Sequence, residues 1–183
     1  MKKLSILCFA FVLSLPLFSQ DAKIAATQFD QVLLQKGSLI VKEFVPFGKF
    51  NKIEGEIAVL TNISTGSKTY ALRITSPYYK SQYDNGETSS VFDAKELESA
   101  INAIDFMISK NKEIASTAPY TEMIYRGSGE PEFGFYVSGS ERKGFFKVDY
   151  KATVYFDVSN LEMLKQFFIT GKNKIAEIGG KIE

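Results

Sequence analysis

The chain has 183 residues, 22 basic and 21 acidic, with one cysteine and neither histidine nor tryptophan. Those absences exclude a Ser-His-Asp triad, a Cys-His dyad and any zinc site built on imidazole or paired thiolates. Near-neutral charge argues against a partner held mainly through phosphates, since that attraction needs a clustered surplus of Lys and Arg.

Residues 1–20 read as a secretory signal peptide. Lys2 and Lys3 form the charged start, residues 4–15 an apolar run broken only by serines, and Pro16-Leu17-Phe18-Ser19-Gln20 the cleavage region before Asp21. The run is too short to span a bilayer, and no later stretch reaches the length needed, so no membrane span is expected after cleavage. Cys8 follows Leu7 rather than the small residue that a lipoprotein signal needs. Cleavage near Gln20 removes both lysines and Cys8, which moves the net charge from +1 to −1 and leaves no thiol. The expected destination is the periplasm or the cell exterior by the Sec route. Residues 21–183 are long enough for one core without staples, so a single domain is expected.

A helix is expected over 21–37, with Ile24, Ala25, Phe29, Val32 and Leu33 on one side and Gly37 as its stop. A first strand over 38–45 ends at Pro46 and Gly48. A second, over 53–62, alternates Ile53, Ile57 and Val59 with Glu54, Glu56 and Ala58. After the turn residues Ser64-Thr65-Gly66-Ser67, a third strand over 68–76 puts Tyr70, Leu72 and Ile74 on one face and Ala71 and Arg73 on the other. Such alternation predicts an antiparallel meander with one face on the core. Residues 77–88 read as a tyrosine-rich loop whose tight turn is Asn85-Gly86. A short strand over 89–92 then enters a helix, with Asp93 as N-cap and Glu96 completing a capping box. Its stripe is Leu97, Ile101, Ile104 and Ile108, widened by Ala100 and Met107, and Lys110 and Lys112 suit its C-terminal end.

Beyond a linker at 114–119 the order repeats. Strands are expected over 121–126, 133–138, 145–150 and 153–156, with turns at 127–131 and 139–143. A second helix starts at Asp157 or Ser159, where Ser159 and Glu162 offer another capping box. Gly171 falls in its stripe of Leu161, Leu164, Phe168, Ile175 and Ile178, and either lets another helix cross closely or marks a break. The string Phe92-Asp93-Ala94-Lys95-Glu96-Leu97-Glu98 returns 64 residues on as Phe156-Asp157-Val158-Ser159-Asn160-Leu161-Glu162. The fold class predicted is therefore α+β: a duplicated ββββα unit with antiparallel sheets and two packed helices, preceded by an N-terminal helix. The units cover 38–112 and 113–183. They differ mainly between their third and fourth strands, where the first carries the long tyrosine loop and the second about two residues.

The strings Gly37-Ser38-Leu39-Ile40-Val41-Lys42-Glu43-Phe44, Ser90-Val91-Phe92-Asp93-Ala94-Lys95-Glu96-Leu97 and Tyr120-Thr121-Glu122-Met123-Ile124-Tyr125, with Phe133-Gly134-Phe135-Tyr136, resemble a group of small exported bacterial proteins of unknown function. The Ser19-Gln20 ending likewise resembles Sec signals of the Bacteroidetes. This resemblance implies export and brings no site with it. The doubled ββββα order is similar to that of the Whirly and PUR-type single-strand-binding proteins. That likeness implies single-stranded nucleic-acid binding by fold analogy only, and the charge and export signal argue against nucleic acid as a partner.

Tyr78, Tyr79, Lys80, Tyr83 and Asp84 are the candidate binding residues, because clustered tyrosines beside polar groups give rigid contact area for a glycan or a protein. Replacing Tyr78 and Tyr79 by alanine is expected to leave the melting temperature nearly unchanged. Asp84-Asn85-Gly86-Glu87 lacks the spacing of a calcium loop and reads as a turn. Arg126-Gly127-Ser128-Gly129 is a turn that could present backbone N–H groups to an anion. Glu54 and Glu56 share a strand face as a possible carboxylate pair, with a solvated face the better reading. The function expected is an exported non-catalytic interaction or ligand-binding module for a protein or glycan, with no catalytic residue, metal or cofactor. The alternatives are a carboxylate-dependent glycan-acting hydrolase and a single-stranded nucleic-acid binder.

Overall fold

The structure, a computed structural model, describes residues 27–115 and 117–180. The expected signal peptide and the first residues of the expected N-terminal helix lie outside these. α1 (Gln28–Leu33) leads into β1 (Ile40–Phe50), β2 (Ile53–Asn62), β3 (Lys68–Ser81) and β4 (Asp84–Asp93), then α2 (Leu97–Glu113). β5 (Thr121–Arg126), β6 (Glu132–Ser138), β7 (Glu141–Lys147) and β8 (Thr153–Asp157) follow, then α3 (Leu161–Glu177). Each set of four strands forms its own antiparallel sheet in sequence order, so the duplicated ββββα architecture is present.

The departures from the expected elements have local causes. α1 covers six residues and ends at Leu34, whose exposed side chain gives a further turn nothing to pack against. β1 runs on through Pro46, because an edge strand needs no N–H on its open side and a bulge between Pro46 and Gly48 absorbs the irregularity. Residues 77–88 are not a loop. β3 and β4 stay paired as far as Ser81 and Asp84, and only Gln82 and Tyr83 form the turn. Asn85 and Gly86 therefore sit within β4, opposite Tyr79 and Tyr78. In the second unit β7 starts at Glu141, and residues 148–152 form the β7–β8 connection. The units thus differ in strand length, and the longer connection belongs to the second.

The two strand-to-helix junctions also differ. Both carry a 3-10 turn, Ala94–Glu96 and Val158–Asn160. At the first, the Asp93 N–H donates to Glu96 Oε2 at 2.8 Å, as a capping box requires. At the second, Asp157 Oδ1 accepts from the Ser159 N–H at 2.9 Å, and the expected pairing of Ser159 with Glu162 is replaced by this Asp157 cap.

Each helix packs on the other unit's sheet: α2 lies on β5 and β6, and α3 on β1, β2 and β3, with α2 and α3 in contact between them. One core results. Phe92 of β4 meets Phe133, Phe146 and Phe168, and Phe50 of β1 meets Phe156 of β8 edge-on at 5.0 Å. α3 is unbroken at Gly171, whose missing side chain makes room for Leu72 of β3 and Phe47 of β1. The close crossing is of helix on sheet rather than helix on helix.

The outer faces are treated unequally. α1 covers part of the first, where Phe29 packs with Ala58, Leu60 and Ala71, and the Asp93 carboxylate holds its first N–H groups, from Gln28 at 2.8 Å and Phe29 at 3.3 Å. No described element packs over the outer face of β5–β8, where Tyr120, Ile124 and Tyr155 are exposed.

Candidate functional site

The five residues singled out in the sequence do not form one surface. Tyr78 points to the inner side of β3, half-buried against the core, with Lys151 Nζ 4.9 Å over its ring. Tyr79 points the opposite way and is exposed. Tyr83 stands at the hairpin tip, 90% exposed. Lys80 and Asp84 form a loose surface ion pair at 3.8 Å. Of the five, Tyr78 belongs to a joint between the units, in which Lys151 also lies 5.6 Å from the Tyr150 ring and Thr88 of β4 donates its hydroxyl to Asp149.

The outer face of β5–β8 is organised differently, and its register gives three rows that cross all four strands. Ile124, Gly134, Phe145 and Tyr155 are successive partners and make an apolar row. On one side lies Glu122, Tyr136, Lys143 and Asp157, and on the other Arg126, Glu132, Lys147 and Thr153. Tyr120, just before β5, stacks on Tyr136 with ring centroids 5.9 Å apart. A row of this kind is about 14 Å long at the usual strand spacing. Gly134 shapes its centre. A Cβ there would lie 2.0 Å from the Met123 carbonyl oxygen and 3.0 Å from the Phe145 ring, so glycine lets Phe145 lie across the sheet. Phe145 is only 8% exposed, while Tyr120 and Tyr155 are 62% and 65% exposed. The result is a shallow, ring-floored trough with tyrosines standing along it.

Its charges cancel. Glu132 accepts from Arg126 Nε at 2.9 Å and from Lys147 Nζ, which takes up both cations of its row. Burial pushes the Glu132 carboxyl up, but Lys147 and Arg126 outweigh it and hold the group below its ordinary value of 4.5. A depressed folded-state value means that this pairing stabilises the protein above the ordinary value and is lost as pH falls through the lowered one. The Tyr120 phenol is raised above 10.0 by desolvation against the sheet and by the Glu122 carboxylate beside it. Tyr136 is raised by desolvation and by Glu141, to which its hydroxyl donates at 3.4 Å, and Tyr155 adds to both. These phenols therefore remain neutral hydrogen-bond donors well into alkaline pH.

The strand pair Glu54 and Glu56 and the buried carboxylates are committed elsewhere. Glu54 pairs with Lys49 and Glu56 with Arg73, each at 2.5 Å, and Arg73 also lies 4.8 Å over the Phe44 ring. Buried Glu96 accepts from the Ser128 N–H at 2.6 Å and the Ser128 hydroxyl at 2.7 Å. The Gly127-Ser128-Gly129 turn thus does present an N–H to an anion, and the anion is the chain's own. Buried Asp149 accepts from the N–H groups of Lys151 and Ala152 at 2.7 and 3.1 Å. Among the described residues no three His, Cys, Asp or Glu side chains gather where they could hold a metal ion, and no helix is long and apolar enough to cross a membrane. A hollow of about 500 Å³ on the first sheet, floored by Phe44, Arg73 and Val91 beside α1, has its guanidinium already neutralised by Glu56.

No family model, curated protein or solved structure matches this chain. The trough was not singled out in the sequence because Phe133, Phe135 and Val137 advertised the other face of β6. The available signal was the period-two placing of Tyr120, Ile124, Tyr136 and Tyr155 on positions that alternation assigns to solvent.

Proposed function

We propose that the protein is a non-catalytic ligand-binding module acting after export, and that its ligand surface is the outer face of β5–β8. The observation that carries this reading is the contrast between duplicated sheets. One outer face is covered in part by α1, whereas its counterpart leaves Tyr120, Ile124 and Tyr155 open to solvent around the Phe145 ring. Exposed apolar patches of this kind mark binding surfaces in monomeric proteins. A glycan hydrolase would need two free carboxylates flanking its substrate. Of those in the trough's rows, Glu132 is paired with Arg126 and Lys147, and Asp157 accepts from Ser159. Away from it, Asp93, Glu96 and Asp149 accept main-chain N–H groups, and Glu54 and Glu56 are paired with cations. Nucleic-acid binding would need surplus positive charge on the face, whereas Arg126, Lys143 and Lys147 are matched there by Glu122, Glu132 and Asp157.

The test does not depend on knowing the ligand. The mature chain and its Tyr120→Ala/Tyr155→Ala variant are immobilised, and total exported material is passed over both. Eluates are analysed for sugar and for protein. The reading expects material retained by the wild-type column and absent from the variant's. Indistinguishable eluates would sink this face as the ligand surface, and release of reducing ends from any bound polymer would restore the hydrolase alternative.

A further inference from the structure

We infer that the ligand is an uncharged oligosaccharide, lying across the four strands along the row from Ile124 through Phe145 to Tyr155; this rests on the reading of that face as the ligand surface. A pyranose ring has an apolar face of C–H groups and a rim of hydroxyls. The row offers the complementary pattern: a ring floor in the middle and polar rows on both sides. The C–H groups carry slight positive charge and are attracted to the negative faces of tyrosine rings. The hydroxyls each donate and accept. The borders supply donors at Lys143, Thr153 and the tyrosine phenols, and acceptors at Glu122 and Asp157.

Three features narrow the choice. The trough is open at the surface and stretches over four strands, so it suits a chain laid along it rather than a small molecule enclosed in a pocket. Its charge is balanced, since the surplus cation of the Arg126, Glu132 and Lys147 border is offset by the surplus carboxylate of the Glu122, Lys143 and Asp157 border, so little net field is left to select a polyanion. A peptide added as a strand would use a sheet edge and its free N–H groups, whereas this is a sheet face. Two of the contacts are in place before any ligand arrives: Tyr120 and Tyr136 stack on each other, and Phe145 is packed down over Gly134, so little freedom is lost at these three side chains on binding.

The experiment is native electrophoresis of the mature chain through gels cast with hydroxyethyl cellulose, xylan, mannan, dextran or soluble starch. Parallel gels contain polygalacturonate, a tryptic casein digest or oligo-dT. At least one neutral polysaccharide is expected to retard the protein, equally at low salt and at about 0.5 M NaCl, where exposed charges are screened within a few ångströms. Tyr155→Ala is expected to weaken that retardation about tenfold, the equivalent of one lost ring contact. Tyr155→Phe keeps the ring and is expected to stay within about threefold of wild type. Both variants change an exposed side chain, and an unchanged melting temperature confirms their fold. The inference is overturned if no neutral polysaccharide retards the protein, if only polygalacturonate, peptide or oligo-dT does, or if Tyr155→Ala changes nothing. It is likewise overturned if the tyrosine substitutions abolish a dimer instead. Retention of a protein on the immobilised column, with no polysaccharide effect, would leave the face as the ligand surface and remove only the glycan.

Discussion

Glu96 shows how much one side chain can hold. Both its oxygens are used, one by the Asp93 N–H and the other by the Ser128 N–H and hydroxyl, so the first junction is tied to the β5–β6 turn of the second unit. Asp93, its neighbour in the capping box, turns its own carboxylate to the start of α1. Asn160 is the equivalent residue in the second copy of the motif; it is half-buried and makes no capping bond. Glu96→Ala strips three donors of their acceptor in a buried place and is expected to lower stability by about 3 kcal/mol. Asn160→Ala is expected to stay within about 0.5 kcal/mol of wild type. Urea unfolding of the two variants checks the contrast, and equal losses would mean that Glu96 is merely a helix cap.

At the scale of elements, the β3–β4 hairpin is the clearest revision. Sequence signals for a loop were strong there: a proline, three tyrosines within six residues and Asn85-Gly86. The chain instead continues as strand because alternate residues still find partners. Tyr78 reaches the core and Lys151, and Thr88 reaches Asp149. Tyr78→Ala is therefore expected to cost about 2 kcal/mol, from lost half-burial and a lost cation–π contact. Tyr79→Ala and Tyr83→Ala, at exposed positions, are expected to shift stability by less than about 0.5 kcal/mol each. Thermal melts of the single variants separate these outcomes, which the double Tyr78 and Tyr79 replacement would have merged. If Tyr78→Ala melts like wild type, the hairpin is not anchored through that ring.

In the whole molecule, the exchange of helices between units makes the duplication interdependent. α2 covers the second sheet and α3 the first, and rings from both sheets meet at Phe92 and Phe168. Each sheet is covered by the other unit's helix, so the 64-residue repeat is not expected to mark two independently stable domains. Unfolding is expected as one cooperative transition, with helix circular dichroism and tyrosine fluorescence superimposing across the urea range. Two resolved transitions would show that each ββββα unit stands alone.

How far the sequence could be read follows from the range of the forces involved. Alternation in β2, β3 and β6, the stripes of α2 and α3, and the Phe-Asp-x-x-x-Leu-Glu repeat are local patterns, set by backbone periodicity and by the entropy of closing short turns. They determined the fold class, the two units and most element positions. They also determined, through the missing histidine and near-zero charge, which chemistries are closed to this chain. Period-two alternation tells that a sheet has two unlike faces, but not what lies against either. Only the tertiary structure decided that, because the covering elements come from far along the chain: α1 onto one outer face, α3 and α2 across to opposite sheets. The bare tyrosine trough of β5–β8 is what that arrangement leaves uncovered. Alternation could place Tyr120, Ile124, Tyr136 and Tyr155 on the outer face, but not show that the face stays bare, since that is set by the absence of a distant neighbour.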